Sequence, residues 1–191
     1  MSVKYQLETI PVWDGIQSSS ECFICDLMQK AQSDNLRFFL GSSVMNPETR
    51  VRVNSVGFCP EHTSMLVQSG SPNSMAVLWE TPLERTRERL EKTFKEMENP
   101  HNIKKTLSGL TAALSEREQG CLICQRMKDR LDRYCFTIPY LWGQDIEFRK
   151  AFEKSKGFCL HHMEHILRMS LDALDTKKQR EFAQSLSDLQ Q

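Results

Sequence analysis

The sequence predicts an all-α fold, a helical bundle built from two pseudo-equivalent helical repeats. Two observations lead to this prediction. A block of cysteine and histidine residues occurs twice in the 191-residue chain, and apolar side chains recur with helical spacing along much of its length. Alternating β-branched runs, which would indicate strands, are nearly absent apart from Val51-Arg52-Val53.

The repeat is visible as two short blocks that return in the same order. ECFIC at 21–25 returns as GCLIC at 120–124, and SVGFCPEH at 55–62 returns as SKGFCLHH at 155–162. The offset is 99 residues for the first block and 100 for the second. Blocks that keep their order at nearly one offset indicate duplication of a unit of roughly 100 residues.

The repeats are predicted to span 1–99 and 100–191, packed together as one compact unit. Asn99-Pro100 marks the boundary because proline disfavours helix at the residue before it and ends the preceding charged helix. Each repeat is expected to contain a helix from CxxC, a short helix, a glycine stop, a helix from CxxH and a long helix.

The ends of the short helices carry recognisable signals. Asn46 followed by Pro47 is typical of a helix cap and first helical residue, and Asp145 is expected to cap the equivalent helix. Gly57 and Gly157 are interpreted as helix stops, since glycine readily adopts the left-handed conformation found there.

Two apolar stripes indicate longer amphipathic helices. One comprises Leu83, Leu90, Phe94 and Met97, and the other comprises Leu171, Leu174, Phe182, Leu186 and Leu189. We expect the first stripe to pack against the other long helix of the chain. The alternative is that it forms a coiled-coil face for a partner.

Six of the seven cysteines, with two histidines, form two sets typical of zinc sites. The predicted sets are Cys22, Cys25, Cys59 with His62, and Cys121, Cys124, Cys159 with His162. Zn²⁺ prefers four such ligands in a tetrahedron, and four protein ligands are typical of a structural rather than a catalytic site. We therefore predict two zinc ions per chain. Converging helix N-termini would lower the thiol pKa values.

Other interpretations of these residues remain open. The cysteines can hold an iron–sulfur cluster, form a redox pair or simply lie in a core. Cys135, which has no counterpart in the first repeat, is expected to be a core residue, with a regulatory thiol as the alternative. Residues 161–165 contain the sequence HxxEH, which is a ligand motif of one class of zinc peptidases. Because the Cys3His set needs His162, we expect His161 and His165 to lie beside the metal or in solvent.

The duplicated motifs also carry a resemblance. ECxxC at 21–25, GFCxxH at 57–62 and GFCxxH at 157–162 resemble an uncharacterised bacterial domain-of-unknown-function family, over Glu21 to Leu167. The resemblance implies a helical fold, zinc at the eight ligand positions and no assigned activity. The second copy departs from the pattern where Gln144-Asp145 stands opposite Asn46-Pro47.

Composition narrows the function classes. The chain has 25 basic residues (lysine plus arginine) and 25 acidic residues (aspartate plus glutamate). It therefore lacks the excess of positive charge that is typical of proteins that bind nucleic acid. The longest apolar run, 75–79, falls far short of the about 20 residues that span a bilayer. We expect a cytoplasmic, non-enzymatic zinc scaffold that binds another protein, with homo-oligomers possible and no catalytic residues. A redox or metal sensor that releases zinc, or an enzyme with a cleft between the repeats, are the alternatives.

Overall fold

The protein is all-α, as predicted. The computed structural model describes residues 5–70, 72–98, 101 and 103–190, and within these ranges it contains helices and no strand. In chain order they are α1 (Thr9–Ile16), α2 (Phe23–Leu40), a 3-10 helix (Ser42–Met45), α3 (Pro47–Ser55), α4 (Pro60–Ser69), α5 (Pro72–Met97), α6 (Ile103–Gln119), α7 (Leu122–Gln144), α8 (Ile146–Glu153), α9 (Leu160–Ala173) and α10 (Thr176–Leu189).

The chain divides into two compact units. Unit 1 comprises residues 1–32 and 127–191, and unit 2 comprises residues 33–126. Each unit therefore draws on both halves of the sequence, and α2 and α7 contribute residues to both units. The predicted boundary at Asn99-Pro100 lies outside the described residues, and the two-repeat symmetry stays a prediction.

Unit 1 is organised around a core of aromatic and branched aliphatic side chains. Phe148, Phe152 and Phe182 are fully buried there, and the Trp142 ring packs edge-on against Phe182 with centroids 5.2 Å apart. Trp13 of α1 meets Phe148 in the same manner at 5.1 Å. Each large apolar side chain that is removed from water contributes roughly 1.5–3 kcal/mol, so this core stabilises the helices that surround it.

Unit 2 has a smaller core that includes the aromatic residue of the first GFC block. Phe58 is buried, and its ring contacts Phe39 of α2 at 5.0 Å and Trp79 of α5 at 6.0 Å between centroids. Leu66 of α4 and Val53 of α3 are also buried. No described helix of either unit is both long and apolar enough to cross a membrane.

The predicted caps are confirmed. The Asn46 side chain accepts hydrogen bonds from the backbone N–H groups of Glu48 and Thr49 at the start of α3. Asp145 accepts from the backbone of α8 in the same way. Gly57 and Gly157 have φ of +76° and +87°, in the left-handed region that favours glycine. Both glycines follow a helix end and precede a CxxH block.

The second apolar stripe is only partly buried. Phe182 and Leu186 lie in the core, whereas Leu171 is 66% exposed. The stripe was predicted on one helix, but the chain breaks between α9 and α10, where the Asp175 side chain accepts from the Lys178 N–H and caps α10. Leu171 therefore lies on α9, whereas Phe182 and Leu186 lie on α10, and the prediction of a single stripe on one helix is wrong.

The first stripe lies on α5, beside a helix that the sequence analysis did not predict. Helix α6 packs along α5, yet Leu83 and Phe94 remain 62% and 55% exposed. The expectation that the whole stripe is buried within the chain is therefore wrong. Helix α1 was also not predicted.

We predict that glycine-to-alanine changes at Gly57 and Gly109 have opposite effects on the free energy of unfolding. Alanine at Gly57 must adopt the left-handed conformation, which costs about 1–2 kcal/mol. Gly109 lies within α6, and an added Cβ there meets no atom within 4 Å. Gly109→Ala should therefore stabilise the protein by about 1 kcal/mol. Urea unfolding of both variants measures the difference, and changes of equal sign would contradict the assignment of Gly57.

Candidate metal centres

The eight predicted ligands form two groups, but not with the predicted partners. Site 1 consists of Cys22, Cys25, Cys159 and His162, and site 2 consists of Cys59, His62, Cys121 and Cys124. Within each site the ligand atoms all lie within 4.8 Å of one another. Each CxxC pair thus meets the CxxH pair of the other half of the chain. The predicted grouping of Cys22 and Cys25 with Cys59 and His62, and its counterpart, is wrong.

Site 1 lies wholly in unit 1, with the imidazole at its centre. The His162 Nδ1 atom is 3.3 Å from the Cys22 sulfur, 3.4 Å from the Cys25 sulfur and 3.3 Å from the Cys159 sulfur. The Cys25 and Cys159 sulfur atoms are 3.8 Å apart. Cys22 and His162 are buried, whereas Cys25 and Cys159 are exposed. The site therefore has a protected side and a side that solvent reaches.

Site 2 repeats this arrangement within unit 2. The His62 Nδ1 atom is 3.2 Å from the Cys59 sulfur, 3.5 Å from the Cys121 sulfur and 3.3 Å from the Cys124 sulfur. The Cys59 and Cys124 sulfur atoms are 3.8 Å apart. Cys121 and His62 are buried, Cys59 is half-buried and Cys124 is exposed. Both sites thus offer three sulfur atoms and one nitrogen around a common point.

Helix starts place all eight side chains. Cys59 and Cys159 are the N-cap residues of α4 and α9, and each carbonyl accepts the first helical hydrogen bond, at 2.9 Å in both. The histidine three residues later therefore points in the same direction as the cysteine. The CxxC pairs stand at the beginnings of α2 and α7. Two helix N-termini meet at each site, and their free N–H groups and dipoles favour negative charge.

Additional contacts join the paired segments outside the ligands. In unit 2 the backbone N–H of Leu122 donates to the Gly57 carbonyl at 3.0 Å, which joins the start of α7 to the glycine turn. In unit 1 the Phe23 and Phe158 rings pack edge-on at 5.5 Å. The crossed pairing is thus supported by packing and hydrogen bonding as well as by the ligand positions.

The histidines are held in the neutral form that a metal requires. Burial, with smaller effects from His161 and His165, lowers the pKa of His162 to about 4. Burial also lowers the pKa of His62, against the opposing charge of Glu61. At neutral pH both Nδ1 atoms can therefore present a lone pair instead of a proton.

The thiols of site 1 differ in their tendency to ionise. Burial and the neighbouring Cys22 thiol raise the pKa of Cys25 to about 12. Burial also opposes ionisation of Cys159, but hydrogen bonds, foremost from the His162 backbone, lower its pKa. The predicted lowering by helix N–H groups therefore acts on Cys159 but not on Cys25.

Site 2 shows the same difference between its thiols. Burial and the neighbouring Cys121 thiol raise the pKa of Cys124 to about 12. Burial opposes ionisation of Cys121, but hydrogen bonds from the backbone and side chains of Cys124 and Cys59 together lower its pKa. Three thiolates in this volume repel one another, and a bound divalent cation supplies the charge that allows all three to ionise.

Disulfides do not account for either group. All seven cysteines are free, and the 3.8 Å sulfur–sulfur separations are far longer than the about 2.05 Å of a disulfide bond. The donor set of three thiols and one imidazole is instead the one that soft and borderline metal ions bind. The two groups can each hold a metal ion.

The remaining cysteine and histidines stay outside the metal sites. Cys135 is fully buried in the core of unit 1, where burial raises the pKa of its thiol. His165 Nε2 lies 3.4 Å from an Asp132 carboxylate oxygen, and the His161 ring packs 5.1 Å from the His162 ring. The structure does not gather His161 and His165 into either ligand group.

The crossed pairing is the functional feature that sequence reasoning missed. Both pairings use the same eight residues, and the intervals within each motif are identical in either case. The contact between the Gly57 carbonyl and Leu122 gives no sequence signal, since it uses only backbone atoms. Only the packing that brings α7 to the Gly57 turn selects the partner.

Comparison with known proteins gives a family but no characterised relative. Neither the curated proteins nor the solved structures contain a significant match. The model of a family of unknown function (DUF6062) matches residues 3–191, nearly the entire chain. The chain with the two crossed Cys3His groups therefore belongs to this family of unknown function, DUF6062.

Proposed function

We propose that the protein is a non-enzymatic scaffold that binds another protein and is held together by two structural zinc ions. One observation carries the proposal: each site presents four donors supplied entirely by the chain, within 4.8 Å of one another. Catalytic zinc sites generally keep one position for water or substrate. A complete set of four protein ligands is typical of an ion that stabilises a fold.

The distances support zinc as the ion. A tetrahedron with Zn–S bonds near 2.3 Å has sulfur–sulfur edges of about 3.8 Å. Cys25 to Cys159 in site 1 and Cys59 to Cys124 in site 2 are both 3.8 Å. An iron–sulfur cluster distributes its cysteine ligands over two or more iron atoms. Four donors around one point favour a single ion instead.

The same geometry implies a structural role for the metal. Each ion would join the CxxC segment of one sequence half to the CxxH segment of the other within a single unit. Apparent binding free energies of structural zinc are about 10–16 kcal/mol, and binding to a site that exists only in the folded chain stabilises that fold. Six of the seven cysteines would bind metal as thiolates, which requires that they stay reduced. Because thiols stay reduced in the cytoplasm, we place the protein there.

A second candidate function, a redox sensor, is favoured by exposure of the sulfur atoms. Cys25, Cys124 and Cys159 are exposed, so an oxidant can reach two thiolates of site 1 and one of site 2. Two thiolates would form one disulfide, while peroxide takes up the two electrons and two protons and becomes water. Loss of two ligands would release the ion.

We predict that metal content distinguishes the crossed pairing from the local one. Protein purified without added metal should contain about two zinc ions per chain by elemental analysis. Cys22→Ser with Cys159→Ser removes two ligands of site 1 and should cost one ion. Cys22→Ser with Cys59→Ser affects both sites and should cost two.

If Cys22→Ser/Cys159→Ser instead lost two ions and Cys22→Ser/Cys59→Ser lost one, the result would support sites formed by sequence neighbours and contradict the structure. Cys135→Ser is the matched control, because Cys135 lies outside both sites and should leave the zinc content unchanged. Chelation should lower the helical circular dichroism signal if the ions are structural. An unchanged signal after complete zinc removal would remove that part of the proposal.

Quantitative co-purification from the native cell tests the scaffold role. We expect the wild-type chain to retain a second, different protein, and Cys22→Ser/Cys159→Ser, which lacks two ligands of site 1, to retain less of it because the zinc-stabilised fold is lost there. Cys135→Ser, outside both sites, is the control. If the wild-type chain retains no second protein, the scaffold role is excluded.

Peroxide separates the sensor from the scaffold. A sensor should release zinc within the time in which its exposed thiols oxidise, and a chromogenic chelator measures the release. Cys25→Ala with Cys159→Ala lacks the exposed thiols of site 1, so its remaining zinc should leave only through site 2. Zinc that stays bound while peroxide is consumed would contradict the sensor role.

A further inference from the structure

Helix α6 contributes little to the core of its own unit. None of its residues is buried along its 17-residue length. A helix of this size is marginal in water unless an apolar face packs against something. Its apolar residues are nevertheless aligned on one face. Together with two residues of α5 they form what we call the hairpin face, which consists of Leu83, Phe94, Ile103, Leu107 and Leu114, all exposed.

The five residues of the hairpin face lie on one side of the two helices. Arg89, Thr93 and Glu96 of α5 line a groove together with Lys105 and Ala113 of α6, and Arg89 lines a second groove with Glu116. Because α6 begins six residues after α5 ends, while the middle of α5 lies beside the C-terminal half of α6, the helices run antiparallel. At 100° per residue, the exposed leucines of α6 lie roughly 80° around the helix from its half-buried residues, which are Thr106, Leu110, Ala113 and Arg117.

Leu83 and Phe94 lie roughly 60° around α5, in the same rotational sense, from its half-buried residues Thr86, Leu90, Thr93 and Met97. Because the two helices are antiparallel, similar rotations turn both sets of side chains to the same side. The five apolar side chains therefore lie on the same side of the two helices, where the exposed ion pair of Arg87 and Glu91 also lies. Leu90 and Leu110, which are half-buried, lie beneath the hairpin face.

The charges on α6 oppose its own dipole. Lys104 is in the first turn and Glu118 is in the last, whereas a helix favours acidic residues at its N-terminus and basic residues at its C-terminus. Both side chains are exposed, and neither has an ion-pair partner among the described residues. Arg117, the basic residue of the last turn, donates to the Asn54 carbonyl at 3.1 Å within unit 2.

We propose that the hairpin face is a dimer interface for a second copy of this chain, with the two α6 helices antiparallel. A two-fold axis near Leu110 and Thr111 places Leu107 of one copy against Leu114 of the other. It also brings Lys104 within reach of Glu118 of the second copy. The unfavourable charges at the two ends of α6 become complementary ones in this arrangement, which selects a self-complementary partner.

The proposal stands apart from the metal and scaffold functions. It uses only α5 and α6, and none of its residues is a metal ligand. Burying a face of this kind against its copy removes from water the apolar side chains that α6 cannot bury within its own unit. The hairpin of one copy and that of the other would then form a four-helix arrangement with antiparallel neighbours.

Sedimentation analysis of the full-length, zinc-loaded protein under reducing conditions tests the interface. We expect a dimer across the micromolar range for wild type and for Leu171→Glu, whose exposed leucine lies in unit 1. Leu107→Glu/Leu114→Glu should be monomeric, with an unchanged helical circular dichroism signal, because both residues are exposed. A wild-type monomer throughout the range, or a double variant that dimerises like wild type, overturns the proposal.

Charge exchange tests the antiparallel arrangement. Lys104→Glu should raise the dimer dissociation constant about tenfold at low salt, since the two-fold axis doubles the effect of one repulsive pair. Lys104→Glu/Glu118→Lys should restore wild-type association. Lys105→Glu makes the same charge change away from the hairpin face and should have little effect. Equal weakening by Lys104→Glu and Lys105→Glu, or no recovery in the double variant, contradicts this pairing.

Discussion

The organisation of this protein depends on bringing three sulfur atoms and one imidazole nitrogen together twice, each time from opposite halves of the sequence. Such a group is unfavourable without a cation, because three thiolates repel one another and burial resists their ionisation. Helix N-termini reduce this cost, since their N–H groups face the sulfur atoms. The glycine turns at Gly57 and Gly157 make the approach possible by reversing the chain just before each CxxH block.

Much of the site could be predicted from the sequence because its determinants are local. The eight ligands are identified by residue type and by intervals of three, and a helix start turns that interval into a common direction. Asn46 and Asp145 were likewise predictable, because a cap acts on backbone groups two or three residues away. The role of a residue that acts on its immediate neighbours can be predicted from the local sequence.

The remaining features depend on contacts between distant segments. The crossed pairing follows from where α7 packs, and Cys121 carries no local mark that selects His62 over His162. Helix α6 was missed although Leu107, Leu110 and Leu114 have helical spacing, and the absence of buried residues along it depends on packing that the sequence does not show. Leu171 was placed on one stripe with Phe182 and Leu186 because its spacing fits, but Asp175 caps a new helix, so these residues lie on two helices.

The arrangement of the units imposes an order on events during synthesis. Unit 2 is a continuous stretch, and its four ligands have all left the ribosome soon after Cys124 emerges. The first segment of unit 1 is made earliest, yet its partners, Cys159 and His162, come almost last. Cys22 and Cys25 must therefore wait unpaired while an entire inserted unit is completed. The nascent chain thus carries an unpaired CxxC segment for most of its translation.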